Sequence, residues 1–288
     1  MNPPAPPTHG NPLDDPARFL ELGQQLADGP TGGLARALAD RALARHGADP
    51  LWQAMADAVL RHTVPDYHVR MLRDARRNAA YRAAIERFAP GRSVLDIGTG
   101  SGLLAMLAAR AGARHVYACE ANAMLAAGAR AVIAANGLAD RITVFDRHSL
   151  QLDRVRDLGG GVDLIVSEVF CHTVIGEGVL GTLAHARAEL TAPGALVVPE
   201  RADVIVALAD FPPLVETVGP VEGFDLTPFA PHLHAARHTP PSNPALSLRS
   251  ASVRLFGFDF AHGALPPTGL AAAELTSTGG RVSGLAQW

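Results

Sequence analysis

Val94-Leu95-Asp96-Ile97-Gly98-Thr99-Gly100-Ser101-Gly102 is the stretch of sequence that decides the fold. Its apolar first half predicts a buried strand, and its three glycines predict a tight turn into a helix that begins near Gly102. Glycine lets the backbone approach a ligand closely, and a helix N-terminus presents amide groups to that ligand. The stretch therefore predicts the first strand, binding turn and helix of a wound α/β sheet.

The sequence after this turn repeats the same alternation. Short apolar runs at residues 115–119, 142–145 and 162–166 alternate with helical patterns at residues 102–111, 123–136 and 180–190. The runs are continuous rather than alternately polar and apolar, which is typical of parallel strands buried on both faces. We therefore expect a Rossmann-like α/β sheet.

The regions before the sheet have a different character. Residues 1–12 contain five prolines and are predicted to be a disordered lead. Residues 13–62 carry the 3.6-residue periodicity of three short helices, so we expect a helical extension of uncertain purpose. A further helix from Asp66 is predicted to begin the ligand-binding domain over residues 63–200. Tyr67, Met71 and Ala75 share one face of this helix, with Asn78 and Arg82 near it.

The region after the sheet is predicted to be β-rich. Residues 201–288 show apolar runs without intervening helices, which favours a second, antiparallel β domain. The chain ends at Trp288 inside a predicted strand, so we expect this domain to be incomplete. The predicted strands cover residues 202–208, 251–260, 270–276 and 281–288.

Composition excludes several classes of protein. The chain has 288 residues, 48% of them hydrophobic, which is enough for a proper core. With a net charge of −3, the chain lacks the positive surface charge typical of nucleic-acid binders. No apolar run approaches the ~20 residues that span a bilayer. Two cysteines are too few for a disulfide framework, and the N-terminus carries no signal pattern. We expect a cytoplasmic protein without nucleic-acid or membrane partners.

The glycine turn predicts a nucleoside site. A dinucleotide fingerprint needs glycine three positions after Gly100, where this chain has Leu103, and an acid, Asp96, precedes the glycines. Glu120 ends the next predicted strand, where a carboxylate can accept hydrogen bonds from both ribose hydroxyls. These features favour S-adenosylmethionine over NAD, bound by Asp96, Gly98, Gly100, Gly102 and Glu120.

Two glutamates predict a site for a cation. Glu168 follows the strand at residues 162–166, at the sheet edge where ligands bind, and Glu177 returns nine positions later after Gly176. Two converging carboxylates repel each other unless a cation lies between them. A guanidinium fits by forked hydrogen bonds. Alternatively, either glutamate caps the loop or a helix.

Together these motifs resemble the protein arginine N-methyltransferases, and the double-glutamate loop looks most like the monomethylating, tandem-domain branch. The resemblance implies a class I methyltransferase fold, with a β-barrel-like domain over residues 201–288 for substrate binding or dimerisation. It also implies methyl transfer from S-adenosylmethionine to an arginine guanidinium nitrogen of a protein or peptide. The residues that carry it are Tyr67 to Asn78, Val94 to Gly102, Glu120, Glu168 to Glu177, and Pro199 to Ala202.

The resemblance also implies roles for further residues. Met71 would pack against the donor sulfur, Asp74 would brace the site, and Arg77 would take the donor carboxylate. His148 and Ser149 would contact the adenine. No metal is implied.

The sequence departs from the family in ways that leave alternatives open. A carboxylate common near the adenine is replaced by Leu150-Gln151, and the family's later His-Trp loop has no counterpart before Trp288. One copy of the domain implies a homodimer if a dimer is needed. The alternatives are an N-methyltransferase for a small guanidino or amino compound, and an inactive scaffold that binds S-adenosylmethionine.

Overall fold

The computed structural model describes residues 11–27, 32–62, 67–170, 174, 178–211, 220–225, 244–266 and 268–288. The chain divides into two compact units. The first unit comprises Met1–Val169 with Thr182–Glu200. The second comprises Phe170–Gly181 with Arg201–Trp288.

A five-stranded parallel sheet forms the centre of the first unit. Its strands lie side by side in the order β3-β2-β1-β4-β5, so β1 is central and the chain reverses its winding direction there. The Rossmann-like fold expected from the sequence is confirmed. The strands are β1 Ser93–Ile97, β2 His115–Cys119, β3 Ile142–Phe145, β4 Val162–Ser167 and β5 Thr191–Val198.

Strand β5 was missed by the sequence analysis. Only its last part, which ends in the buried Val197 and Val198, has the apolar character of a strand in a parallel sheet. Pro193 and Gly194 stand in its exposed first half, and both residues are depleted in strands. The pairing with β4 therefore forms the strand against its local preference.

Helices cover the sheet and end close to where periodicity placed them. Alanine and aliphatic side chains on α6 and α7 pack on the strands, and Leu104, Ile133, Val94 and Leu164 belong to one buried cluster. The helices are α6 Leu103–Arg110, α7 Ala123–Ala135 and α8 Val179–His185, which continues as a π-helix over Ala186–Leu190.

The N-terminal extension forms the three helices expected from its periodicity. Phe19 and Trp52 lie at the centre of their shared core, with ring centroids 5.3 Å apart, and the His46 ring stacks on Trp52 at 4.3 Å. This extension therefore has its own hydrophobic core. The helices are α1 Pro16–Ala27, α2 Gly32–His46 and α3 Pro50–His62.

An antiparallel sheet forms the second unit. Strand β6, Arg201–Asp210, pairs with three others, and Pro220–Val221 (β7) pairs with Phe224–Asp225 (β8) in a separate hairpin. The expected change from parallel to antiparallel structure after residue 200 is confirmed. The partners of β6 are β9 Ser247–Leu248, β10 Val253–Asp259 and β11 Gly284–Gln287.

The strand predicted over residues 270–276 is wrong. Within the described residues this segment forms no strand, and Leu270 is 98% exposed. Its alanine-rich sequence has few β-branched side chains with which to pack on a sheet. The turn-forming residues 276–280 therefore precede β11 and do not join two paired strands.

The described part of the chain bears on two classes of partner. None of the helices there is both long and apolar enough to cross a membrane. The same residues include no group of three or more His, Cys, Asp or Glu side chains placed to hold a metal ion.

Candidate active site

The predicted helix that approaches the glycine turn is broken at Asp74. The sequence pattern predicted one continuous helix, whereas the chain forms α4, Tyr67–Arg73, and α5, Ala75–Phe88. Asp74 has an extended ψ of 91°, and its carboxylate accepts a hydrogen bond from the Arg77 backbone N–H at 2.9 Å. The single-helix prediction is therefore wrong, because an N-cap aspartate competes with helix continuation.

The glycine turn adopts a backbone that glycine alone tolerates well. Gly98, Gly100 and Gly102 all have positive φ, at 73°, 53° and 83°. The N–H groups of Gly98 and Thr99 both donate to the Cys119 carbonyl, at 2.9 and 3.0 Å. The turn is thereby anchored to the carboxyl end of β2.

Gly98 is also constrained by a close neighbour. A Cβ atom at this position would lie 2.4 Å from Cγ1 of Val169, the residue that follows Glu168. That distance is far inside van der Waals contact. The absence of a side chain at Gly98 therefore lets the segment containing Glu168 lie against the glycine turn.

Asp96 joins the turn to the following helix. Its Oδ2 accepts hydrogen bonds from the Thr99 hydroxyl at 2.6 Å and from the Ala105 N–H at 3.0 Å. Burial of the carboxyl raises its pKa to about 6, against the lowering effect of those two hydrogen bonds. These contacts support a role for Asp96 in holding the glycine turn against the following helix.

Asp96→Asn is expected to remove a pH dependence of folding stability. A folded-state pKa raised to about 6 from 3.8 makes the native state bind more protons than the unfolded chain between those values. The stability that Asp96 contributes therefore falls by on the order of 2–3 kcal/mol as pH rises from about 4 to about 6, and stays constant above. Urea unfolding of both proteins at several pH values measures this difference.

Asp140→Asn, the same change at an exposed site, is the control for that comparison. Its unfolding free energy should follow that of the wild type across the pH range. Parallel curves for the wild type and Asp96→Asn would contradict the expectation.

Glu120 lies beside the glycine turn, as the sequence predicted for a ribose-binding carboxylate. Its Oε2 accepts a hydrogen bond from the Gly100 N–H at 3.1 Å, and its Oε1 accepts one from the Asn122 N–H at 2.9 Å. These bonds fix the carboxylate at the carboxyl end of β2. Each oxygen retains lone-pair capacity for a further donor.

His148 and Ser149 follow β3 at the same edge of the sheet. The Leu150 N–H donates to Nδ1 of His148 at 3.2 Å, so the proton of the neutral ring lies on Nε2. Ser149 is only 2% exposed, and its Oγ has no hydrogen-bond partner among the described residues. A buried hydroxyl of this kind can hydrogen-bond a polar ligand atom.

Glu168 is paired with a guanidinium from its own chain. Nη2 of Arg77 lies 2.6 Å from Oε2 of Glu168, and the two side chains are 19% and 14% exposed. Nη1 of Arg77 donates to Asn78 Oδ1 at 3.0 Å and to the Met71 carbonyl at 3.4 Å. Arg77 therefore connects α4, which carries Met71, to the end of β4.

The structure thus brings most of the predicted residues together at one edge of the first unit. Asp96, the glycine turn, Glu120, Arg77 and Glu168 are joined by direct contacts or by adjacent strands. Glu177 lies outside the described residues.

Sequence reasoning missed two residues in this region, Tyr81 and Val169. Tyr81 stands four positions after Arg77 on α5, which places both side chains on one helix face. That spacing is a signal that could have identified it. Val169 carried no such signal, because its role depends on the proximity of Gly98.

Several known proteins are similar to this chain. The model of a family described as ribosomal protein L11 methyltransferase (PrmA) matches residues 82–199. Arginine N(omega)-methyltransferase of Streptomyces achromogenes subsp. streptozoticus is 39% identical over 298 residues, which cover 99% of this chain and 80% of that protein. The chain belongs to the arginine N-methyltransferase family.

Other members of the arginine methyltransferase family align over less of their length. Protein arginine N-methyltransferase 7 of Drosophila erecta is 37% identical over 162 residues, or 51% of this chain and 24% of that protein. A solved structure, the Trypanosoma brucei PRMT1 enzyme-prozyme heterotetrameric complex with AdoHcy, matches with a TM-score of 0.58 and 27% identity, covering 68% of this chain and 62% of that chain. This chain thus spans about a quarter of the fly protein.

S-adenosylmethionine is the cofactor of this arginine methyltransferase. The residues present fit it. The positive-φ glycines leave room for a nucleoside, Glu120 is held where ribose hydroxyls can donate to it, and the buried Ser149 hydroxyl can take a further bond.

Proposed function

We propose that this chain transfers one methyl group from S-adenosylmethionine to a terminal guanidinium nitrogen of arginine in a protein or peptide. The observation that carries the proposal is the 2.6 Å contact between Glu168 and the Arg77 guanidinium. This contact supports the proposal because the Glu168 carboxylate already accepts a hydrogen bond from a guanidinium. Membership of the arginine methyltransferase family agrees with that acceptor.

In this mechanism the chain's own residues act mainly by position and charge. S-adenosylmethionine supplies an electrophilic methyl group on a positively charged sulfur. Glu168, with Glu177, holds the acceptor guanidinium and draws its delocalised positive charge toward the nitrogens that they contact. The remaining terminal nitrogen would thereby gain lone-pair character for attack on that methyl group, and it would lose a proton as AdoHcy leaves.

The donor side of the mechanism rests on residues before and within the sheet. Arg77 would bind the donor carboxylate, Glu120 the ribose, and His148 with Ser149 the adenine. Met71 would pack near the reacting atoms, and Asp74 would hold α5 in place as its N-cap. The contacts of Arg77 with the Met71 carbonyl and with Glu168 support a coupling of the donor and acceptor sides.

A second acceptor, arginine as a free amino acid, is favoured by one comparison. The Streptomyces relative that aligns with 99% of this chain is named for arginine alone. The relatives named for protein arginine align with about half of it. A free amino acid carries the same guanidinium, so the same Glu168 chemistry serves both acceptors.

Methyl transfer from labelled S-adenosylmethionine to each candidate acceptor distinguishes the two acceptors. The purified protein is incubated with the donor and either an Arg-Gly peptide library or free arginine, and products are separated by mass spectrometry. Monomethylated peptide supports the first acceptor, and monomethylated free arginine supports the second. Binding of AdoHcy with no turnover on either acceptor would select the inactive scaffold instead.

Glu120→Gln is expected to weaken AdoHcy binding about 10- to 100-fold. The change removes a charged acceptor and replaces one of its oxygens with a donor group, and charge-assisted hydrogen bonds contribute about 1.5–3 kcal/mol. Isothermal calorimetry measures the dissociation constant. Glu21→Gln, the same change at an exposed position on α1, is the control and should bind AdoHcy as the wild type does. Equal affinities for all three proteins would refute a ribose-binding role.

We also propose that the active form is a homodimer. Large apolar side chains are exposed in the second unit, and at Leu248, Leu285 and Trp288 the exposed fractions are 46%, 66% and 43%. Exposed apolar surface of this kind favours association. Light scattering at micromolar concentration tests the proposal, and a monomeric mass with full activity would count against it.

A further inference from the structure

Tyr81 makes two contacts that converge on the proposed acceptor site. Its hydroxyl donates a hydrogen bond to the Ser167 carbonyl at 2.9 Å. The guanidinium carbon of Arg77 lies 5.5 Å from the centroid of its ring. One side chain on α5 therefore contacts both the backbone before Glu168 and the cation that pairs with Glu168.

The backbone at the end of β4 is held from several sides. Ser167 is fully buried, and its hydroxyl donates to the Ile97 carbonyl at 3.3 Å. Val169 lies against Gly98 on the other side of Glu168. Of these contacts, only that of Tyr81 also involves Arg77.

We propose that Tyr81 is a positioning residue that fixes the Arg77 guanidinium and the Glu168 backbone in one arrangement. It acts on the donor side through Arg77 and on the acceptor side through Ser167. A face-on cation–π contact and a partly buried hydrogen bond are both directional, so together they restrict the orientation of the pair. The proposal rests on the proposed function of Glu168 and Arg77.

The charge state of Tyr81 suits this task. Burial of the phenol, followed by the negative charge of Glu168, raises its pKa above the ordinary value for tyrosine. The hydroxyl therefore stays protonated and remains a donor to Ser167 across the working pH range.

Two substitutions separate the two contacts. Tyr81→Phe keeps the ring but removes the hydroxyl, and we expect kcat to fall about tenfold with AdoHcy affinity unchanged, because a single, partly buried hydrogen bond is lost. Tyr81→Leu also removes the ring, and AdoHcy affinity should then fall about three- to tenfold, because Arg77 loses its cation–π partner. If the ring contact matters, Tyr81→Phe should bind AdoHcy more tightly than Tyr81→Leu does.

Tyr117→Phe is the matched control. Tyr117 is a partly buried tyrosine of β2 whose ring stacks on Phe145, away from Arg77. This variant should retain the wild-type kcat, AdoHcy affinity and melting temperature. The same three quantities are measured for every variant.

A double-mutant cycle tests whether Tyr81 acts through Arg77. In an Arg77→Met background, Tyr81→Leu should change AdoHcy affinity less than it does in the wild type, because the cation that contacts the ring is already absent. AdoHcy binding requires no acceptor, so this cycle reports on Tyr81 even if neither arginine acceptor is methylated. Additive effects in the cycle, or lower melting temperatures with unchanged kcat and AdoHcy affinity, would overturn the proposal.

Discussion

Glu168→Gln is expected to lower kcat for arginine methylation by about 100- to 1000-fold while AdoHcy binding changes by less than about threefold. Glutamine keeps the shape of the side chain but removes its charge. The neutral amide cannot draw the positive charge of the acceptor guanidinium away from the reacting nitrogen. The loss should therefore appear in turnover at saturating donor and acceptor, measured by the rate of AdoHcy formation.

Glu86→Gln is the matched control for this experiment. Glu86 is exposed on α5, so the same loss of charge occurs outside the site. The control should retain wild-type turnover. Turnover by Glu168→Gln at the wild-type rate would mean that this carboxylate does not act on the acceptor.

Gly98→Ala is expected to lower the free energy of unfolding by about 2–5 kcal/mol. A Cβ at a φ of 73° costs about 1–2 kcal/mol, and overpacking against Val169, 2.4 Å away, costs about 1–3 kcal/mol more. Movement of the turn that relieves the clash would also displace the backbone amides at the donor site. Urea unfolding measures the first effect, and AdoHcy calorimetry measures the second as a large loss of affinity.

Gly91→Ala separates the two causes. Gly91 has the same φ of 73°, but nothing lies within 4 Å of a Cβ built there, so only the cost of about 1–2 kcal/mol applies. Gly98→Ala combined with Val169→Ala should recover much of the steric cost in the turn. Equal destabilisation by Gly91→Ala and Gly98→Ala would show that Val169 imposes no constraint.

The parts of the fold that depend on local pattern were predicted well from the sequence. Strands β2 and β3 begin and end at the predicted residues, because continuous apolar runs bounded by turns are strong signals in a parallel sheet. The position of Glu120 beside the glycine turn also followed from strand order alone, since the carboxyl ends of adjacent parallel strands meet at one edge.

The parts that depend on distant contacts were not predicted. Strand β5 forms by pairing with β4, although Pro193 and Gly194 disfavour it locally. The pair of Arg77 and Glu168 joins residues 91 positions apart, and neither spacing nor composition records such a contact. Asp74 is an intermediate case, because its preference for N-cap positions was visible in the sequence but the helical pattern around it was stronger.

In the proposed mechanism, Glu168 directs a methyl group to a guanidinium nitrogen. The most direct test of this role is tandem mass spectrometry of the arginine product made by the wild type and by Glu168→Gln under identical conditions. We expect ω-N-monomethylarginine from the wild type and at most about a hundredth as much from the variant. Methylation at another atom, or equal amounts of ω-N-monomethylarginine from both proteins, would contradict it.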